Sequence, residues 1–128
     1  MQTPFAYRQE LTISVRVSDL DRAIDWYRDT LGFELAYKLD EMGWCELKTA
    51  HDGVTVGLGQ AEELNQGGTV PVFGVENIDE ARSYIEGKGT RFDGETQVIP
   101  DMVKLATFFD PDGNPWMLAE TLPGMMPR

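Results

Sequence analysis

The feature that most constrains this chain is an internal repeat. Set "TISVRVSDLDRAIDWY" from Thr12 against "VPVFGVENIDEARSYI" from Val70, a shift of 58 residues, and the same signals come in the same order. Val17 falls on Val75, Leu20 on Ile78, Asp21 on Asp79, Ala23 on Ala81, and aromatic Trp26 on aromatic Tyr84. Further on, Asp52 and Gly53 lie over Asp112 and Gly113 at a shift of 60. A chain of 128 residues is one domain's worth. A repeat inside it means two similar supersecondary units, each of which must bury one face.

Each copy opens on a strand. Ile13, Val15 and Val17 point one way while Thr12, Ser14 and Arg16 point the other. A helix follows, capped by Ser18 or Asp19, with Leu20, Ile24, Tyr27 and Leu31 on one face and Gly32 as its stop. In the second copy Asn77 is the cap, Ile78, Ala81 and Ile85 form the buried stripe, and Gly87 and Gly89 end the helix. Three strand segments come after each helix. The first copy offers "FELAYKL", "GWCELKTA" and "VTVGLG"; the second offers a short one near "TRFDGETQV", then "VKLATFF" and "PWMLAET". The turns "HDG" and "DPDG" join the last two strands of each copy, with Gly113 free to take positive φ. The unit is βαβββ, twice, with "QAEELNQGG" from Gln60 to Gly68 as connector.

The balance of 22 acidic against 11 basic residues gives a formal charge of −11, a surface that repels phosphate backbones and anionic lipid. No nucleic-acid partner is expected. No apolar run reaches the about 18 residues of a membrane span, and the N-terminus has no export signal, so a cytoplasmic protein away from membranes is expected. Cys45 is the single cysteine; it lies in an alternating apolar segment with no basic run beside it and reads as a small buried hydrophobe rather than a catalytic thiol. His51, the single histidine, reads as an exposed turn residue at a hairpin tip rather than a base.

The repeat, with "VSDLDRAIDWYRDTLGF" and "FFDPDGNPWMLAE" as its clearest segments, resembles the vicinal oxygen chelate superfamily over Leu11 to Glu120. Its members include glyoxalase I, extradiol dioxygenases, and the bleomycin and fosfomycin resistance proteins. The resemblance implies an α+β fold in which two βαβββ repeats, about 8–59 and 69–122, make a single domain over 1–128 whose curved mixed sheet surrounds a cleft. It also implies a homodimer, because clefts in this superfamily are commonly completed between chains. Metal-dependent members carry a His or Glu on the first and last strand of each repeat. The matching positions here are Thr12, Gly57, Val70 and Met117, and none is a usual ligand for Zn²⁺, Mg²⁺ or Fe²⁺. No metal and no cofactor are therefore expected.

Alternation completes the expected site. Ser14 and Arg16 share the face of Thr12, Val72 shares that of Val70, and Trp44, Glu46 and Lys48 lie opposite Cys45 and Leu47. If Cys45 and Leu47 pack under the helices, Trp44 and Glu46 face the cleft; if not, the strand is an exposed edge. Period two says which residues share a face but not which face is buried. Arg16 would hold an anionic substrate or serve a structural ion pair. Trp26 is expected at the surface or an interface, Tyr27 in the core, and the tail "TLPGMMPR" to be a loose end. Two functions follow. One is a metal-free binder of a small, partly apolar or aromatic molecule, with Thr12, Ser14, Arg16, Trp44, Glu46, Gly57, Val70, Val72 and Met117 as its ligand-binding set. The other is a lyase, isomerase or dioxygenase of the superfamily with a relocated site, for which Glu46 is the catalytic candidate.

Overall fold

Both helices start where the sequence supplies a cap. The structure is a computed structural model and describes residues 1–63, 68–109, 111 and 113–124. Asp110 and Asp112 of the "DPDG" turn, the middle of the connector, and Met125 and Met126 lie outside the described residues. The chain forms two compact units: residues 10–70 are the N-terminal repeat, and residues 1–9 belong with the C-terminal repeat from Pro71 onward.

In the N-terminal repeat, β1 (Tyr7–Val17) leads into α1 (Leu20–Leu31), and β2 (Glu34–Leu39), β3 (Trp44–Lys48) and β4 (Val54–Gln60) follow. β2 and β3 pair antiparallel, as do β3 and β4, while β4 returns to lie parallel to β1. The strand order is thus β2-β3-β4-β1. Asp19 takes the N-cap, its Oδ1 accepting the Arg22 N–H at 3.0 Å, and Gly32 closes the helix at φ 76°. Leu20 and Ile24 of α1 bury against Cys45, Leu47, Val56 and Leu58, with Ile13, Val15 and Val17 at the margin.

One member of the expected stripe departs from it: Leu31 is 50% exposed. The left-handed turn at Gly32 folds Phe33 back onto the core, where it stacks on Tyr27 at 6.0 Å. That ring fills the contact the helical period assigns to Leu31. A short 3₁₀ turn over Asp40–Met42, not anticipated from the sequence, joins β2 to β3.

The C-terminal repeat repeats the plan with β5 (Val70–Val75), α2 (Ile78–Gly87), β6 (Gln97–Ile99), β7 (Val103–Phe109) and β8 (Pro115–Thr121). β8 runs parallel to β5, and β6, β7 and β8 pair antiparallel, in the order β5-β8-β7-β6. Asn77 caps α2 through the Glu80 N–H at 3.0 Å. Ile78 and Ala81 bury against Val75, Ala106 and Leu118, and Ile85 packs at the margin. The expected strand near "TRFDGETQV" shrinks to three residues and a single bridge from Phe92 to Phe108.

This core recruits a residue outside the repeat. Phe5 is 8% exposed and starts a run of rings: it lies 4.8 Å from Tyr7, which meets Phe73 edge-on at 5.7 Å, and Phe73 stacks on Trp116 at 6.0 Å. β1 accordingly begins at Tyr7, earlier than the alternation suggests. Both repeats are mixed sheets with one helix against one face, an α+β arrangement. No helix among the described residues is long and apolar enough to cross a membrane.

Candidate functional site

The face of each sheet that turns away from its helix carries the residues of interest. In the N-terminal repeat, Cys45 and Leu47 bury under α1, so alternation sends Trp44, Glu46 and Lys48 to the opposite side. The same argument sends Thr12 and Ser14 there from β1, because Ile13, Val15 and Val17 pack on the helix side, and Thr55, Gly57 and Gly59 from β4. The ambiguity between a buried face and an exposed edge is removed by burial: Glu46 is 3% exposed and Thr12 6%.

Register brings these side chains together. Gly57 stands between Ser14 of β1 and Glu46 of β3, and Glu46 stands between Gly57 and Tyr37 of β2. Thr12 faces Thr55, and their hydroxyl oxygens are 3.0 Å apart in a hydrogen bond. Trp44 is paired with Gly59, and its indole leans diagonally across Gly57. A Cβ at position 57 would sit 2.2 Å from the Trp44 ring atoms Cη2 and Cζ2, and 3.3 Å from Thr12 Cγ2. Gly57, one of the four places the resemblance matches to metal ligands, is therefore covered by the chain's own indole.

Glu46 is a carboxylate taken out of bulk water, which is tolerated only with polar partners. Among the described residues no buried side-chain nitrogen or oxygen lacks one. The face thus combines a flat aromatic surface, a hydroxyl pair and a shielded carboxylate within one repeat.

In the C-terminal repeat Phe73, Phe108 and Leu118 pack on the α2 side. Val72, Thr107 and Met117 consequently lie on the opposite face, with Met117 paired to both of the others. Val70 opens β5 and by alternation shares the side of Val72. Trp116 belongs to the helix side, stacked on Phe73.

Several carboxylates and the one histidine lie elsewhere. His51 is exposed in the turn between β3 and β4, where its carbonyl accepts the Val54 N–H. Glu120 faces α2, and its Oε1 accepts the Ile78 N–H at 2.8 Å. Gln60 does the same for α1, its Oε1 accepting the Leu20 N–H at 2.9 Å. Last-strand side chains thus bind the first turn of each helix, an equivalence set by the shift of 60 between the strands. Extending the Asp52/Asp112 alignment by eight residues would have found it.

Tyr37 and Thr55 were also missed. A register shift between Leu35 and Tyr37 breaks the alternation of β2, and the parallel register that places Thr55 beside Thr12 leaves no local signal. Arg16, also expected on this face, is exposed at the end of β1, lining a cavity with the start of α1.

Thr12 has its hydroxyl bonded to Thr55, Gly57 is under an indole, Val70 has no donor, and Met117 offers only a soft thioether. Among the described residues no three His, Cys, Asp or Glu side chains converge in a way that could hold an ion. Thr12, Gly57, Val70 and Met117 by themselves do not make a donor set that fits a divalent ion.

The family model described as glyoxalase/bleomycin resistance protein/dioxygenase superfamily matches residues 11–118. The chain belongs to that superfamily. Solved structures agree on the fold of this superfamily member. It is similar to methylmalonyl-CoA epimerase from Mycobacterium tuberculosis, with TM-score 0.76 and 22% identity over 96% of this chain and 94% of that one. A variant of Streptomyces coelicolor methylmalonyl-CoA epimerase in complex with 2-nitronate-propionyl-CoA gives TM-score 0.66 and 21% identity over 95% and 99%. A superfamily member from Vibrio splendidus 12B01 gives 0.63 and 20% over 87% and 97%. No match was found among curated proteins.

Proposed function

We propose that this superfamily member binds a small, partly aromatic molecule without a metal ion, on the helix-opposed face of the N-terminal repeat. The observation that carries this reading is the Trp44 indole lying across Gly57, with a flat π surface where a metal ligand would stand. Ligand stacked on that ring loses apolar surface to water. At about 25 cal/mol per Å², burying some 200 Å² contributes roughly 5 kcal/mol before ordering costs, which corresponds to sub-millimolar affinity at best. Thr12, Ser14 and Glu46 supply the polar contacts that orient it. Val70, Val72 and Met117 offer a second, uncharged surface on the helix-opposed side of β5 and β8. The working protein is a cytoplasmic homodimer; sedimentation showing only a 14.4 kDa species at micromolar concentration would count against the dimer.

Fluorescence tests the binding face. The protein has three tryptophans, so Trp26→Phe with Trp116→Phe leaves Trp44 as sole reporter. Titration with a panel of flat aromatic molecules should change its emission saturably, equally with and without EDTA. Binding that disappears with EDTA, or leaves the Trp44 emission unmoved, contradicts the reading.

A second reading is favoured by Glu46 alone. A carboxylate 3% exposed beside an aromatic ring is the kind of group that serves as a general base. It would make the protein a lyase, isomerase or dioxygenase of the superfamily, in keeping with a solved methylmalonyl-CoA epimerase that holds methylmalonyl-CoA. Proton exchange at the α-carbon of an acyl thioester in D₂O, lost in Glu46→Gln, would establish it over the binder.

A further inference from the structure

The corner where β1 turns into α1 holds a cavity of about 340 Å³ that the reading above does not use. Its apolar lining is Val17 and Ala23, both at the margin of the core. Arg16 and Arg22 line it, together with Trp26, which is 52% exposed. Ser18 and Asp19 complete the lining.

The charges here are unusual for this surface. The protein has twice as many acids as bases, and α1 itself is rich in aspartates. Yet the aspartates of α1 and its cap already have partners. Asp21 pairs with Lys38 at 2.6 Å, Asp25 and Asp29 pair with Arg28 at 2.9 and 3.0 Å, and Asp19 accepts the Arg22 backbone N–H. Among the described residues no carboxylate lies within salt-bridge distance of Arg16 or Arg22. The contact of the Arg22 guanidinium is a long hydrogen bond from Nη2 to Ser18 Oγ at 3.4 Å. Because Asp19 already occupies the first turn of α1, any attraction for an anion comes from the two side chains rather than from the helix end.

The indole has a ring neighbour on its own helix. Trp26 meets Tyr27 edge-on at 4.9 Å and 85°, and Tyr27 in turn stacks on Phe33. Arg22 and Trp26 are four residues apart, hence neighbours on one helical face. An exposed π surface beside two arginines without an ion-pair partner among the described residues suits a ligand with one aromatic ring and one anionic group. The volume is at the low end of small-molecule sites, so the ring system is small.

We propose that this cavity is a second binding site, for a small planar aromatic molecule bearing a carboxylate or phosphate. The anion is held by Arg16 and Arg22, the ring lies on Trp26, and Asp19 repels ligands that carry further negative charge near the helix start.

Calorimetry with benzoate, phenyl phosphate, inorganic phosphate and neutral benzamide tests it. Saturable one-to-one binding of benzoate or phenyl phosphate is expected, weakening as salt rises, and the tighter of the two identifies the anion. Inorganic phosphate and benzamide, each lacking one element, should bind about tenfold more weakly or worse. Arg22→Gln and Trp26→Leu, both at exposed helix positions, should each weaken binding at least about fivefold, with unchanged circular dichroism. Arg22→Lys keeps the charge but loses the fork and should fall between. No saturable binding at millimolar concentration, equal binding of phenyl phosphate and inorganic phosphate, or indifference to both Arg22→Gln and Trp26→Leu overturns the proposal. So does binding lost in Trp44→Leu but kept in Trp26→Leu, which would place the probe on the other face.

Discussion

Gly57→Ala puts one methyl group where the structure has no room for it. The new Cβ would stand 2.2 Å from two carbons of the Trp44 ring and 3.3 Å from Thr12 Cγ2. Either the indole swings off the sheet or the strands shift. Overpacking of this kind costs about 1–3 kcal/mol. Against it, replacing glycine inside a strand returns roughly 0.5–1 kcal/mol of backbone entropy. The net expectation is destabilisation by roughly 0–2.5 kcal/mol, the difference of those two ranges, centred at about 1 kcal/mol.

Gly59 supplies the control on the same strand. A Cβ there meets the same ring at 3.5 and 3.7 Å, ordinary contact distances, so Gly59→Ala should be neutral or stabilising by up to about 1 kcal/mol. Urea unfolding followed by circular dichroism gives both values, with the slope checked for constancy. Trp44→Leu should then relieve the Gly57→Ala penalty, so that the two changes are strongly non-additive. If Gly57→Ala is tolerated as well as Gly59→Ala, the indole does not lie on Gly57, and the argument for the aromatic surface fails with it.

Cys45 is fully buried, and burial pushes its thiol up from the ordinary value. The native protein should resist iodoacetamide at pH 8 while the urea-unfolded chain reacts fully. Because the folded state keeps the proton longer than the unfolded state, stability should fall as pH rises past the unfolded thiol's value of about 8.5, and Cys45→Ala should remove that part of the slope. Glu120→Ala and Gln60→Ala each free a backbone N–H at a helix start and should cost about 0.5–2 kcal/mol in urea titrations, with Glu120→Gln retaining most of the stability.

Much of the fold was legible because it is written twice. The caps Asp19 and Asn77, the strand–helix–three-strand order and the burial of Cys45 all follow from local pattern. Residues that depend on long-range register were not legible. Tyr37 sits past a bulge, Thr55 is placed by a parallel pairing, and the first-turn contacts of Gln60 and Glu120 span about forty residues, 40 and 42. Phe5 lies outside both repeats, and nothing in its neighbours announces that it enters the core of the second. The site was legible as a set of faces, because alternation groups Thr12 with Ser14 and Trp44 with Glu46. Which face is covered by the helix needed the packing of Leu20 and Ile24 on Cys45 and Leu47. That Trp44 fills the space at Gly57 could not be read from sequence, since a glycine in a strand is compatible with a bulge, a bend or a close approach.

The proposed function has small-molecule binding proceed without a divalent ion. Metal content of the protein purified without chelator, by plasma mass spectrometry, tests it most directly. Zn²⁺, Ni²⁺, Mn²⁺ and Fe²⁺ are each expected far below one per chain. Any of them at one per chain, removed by EDTA together with ligand binding or an activity, would contradict it.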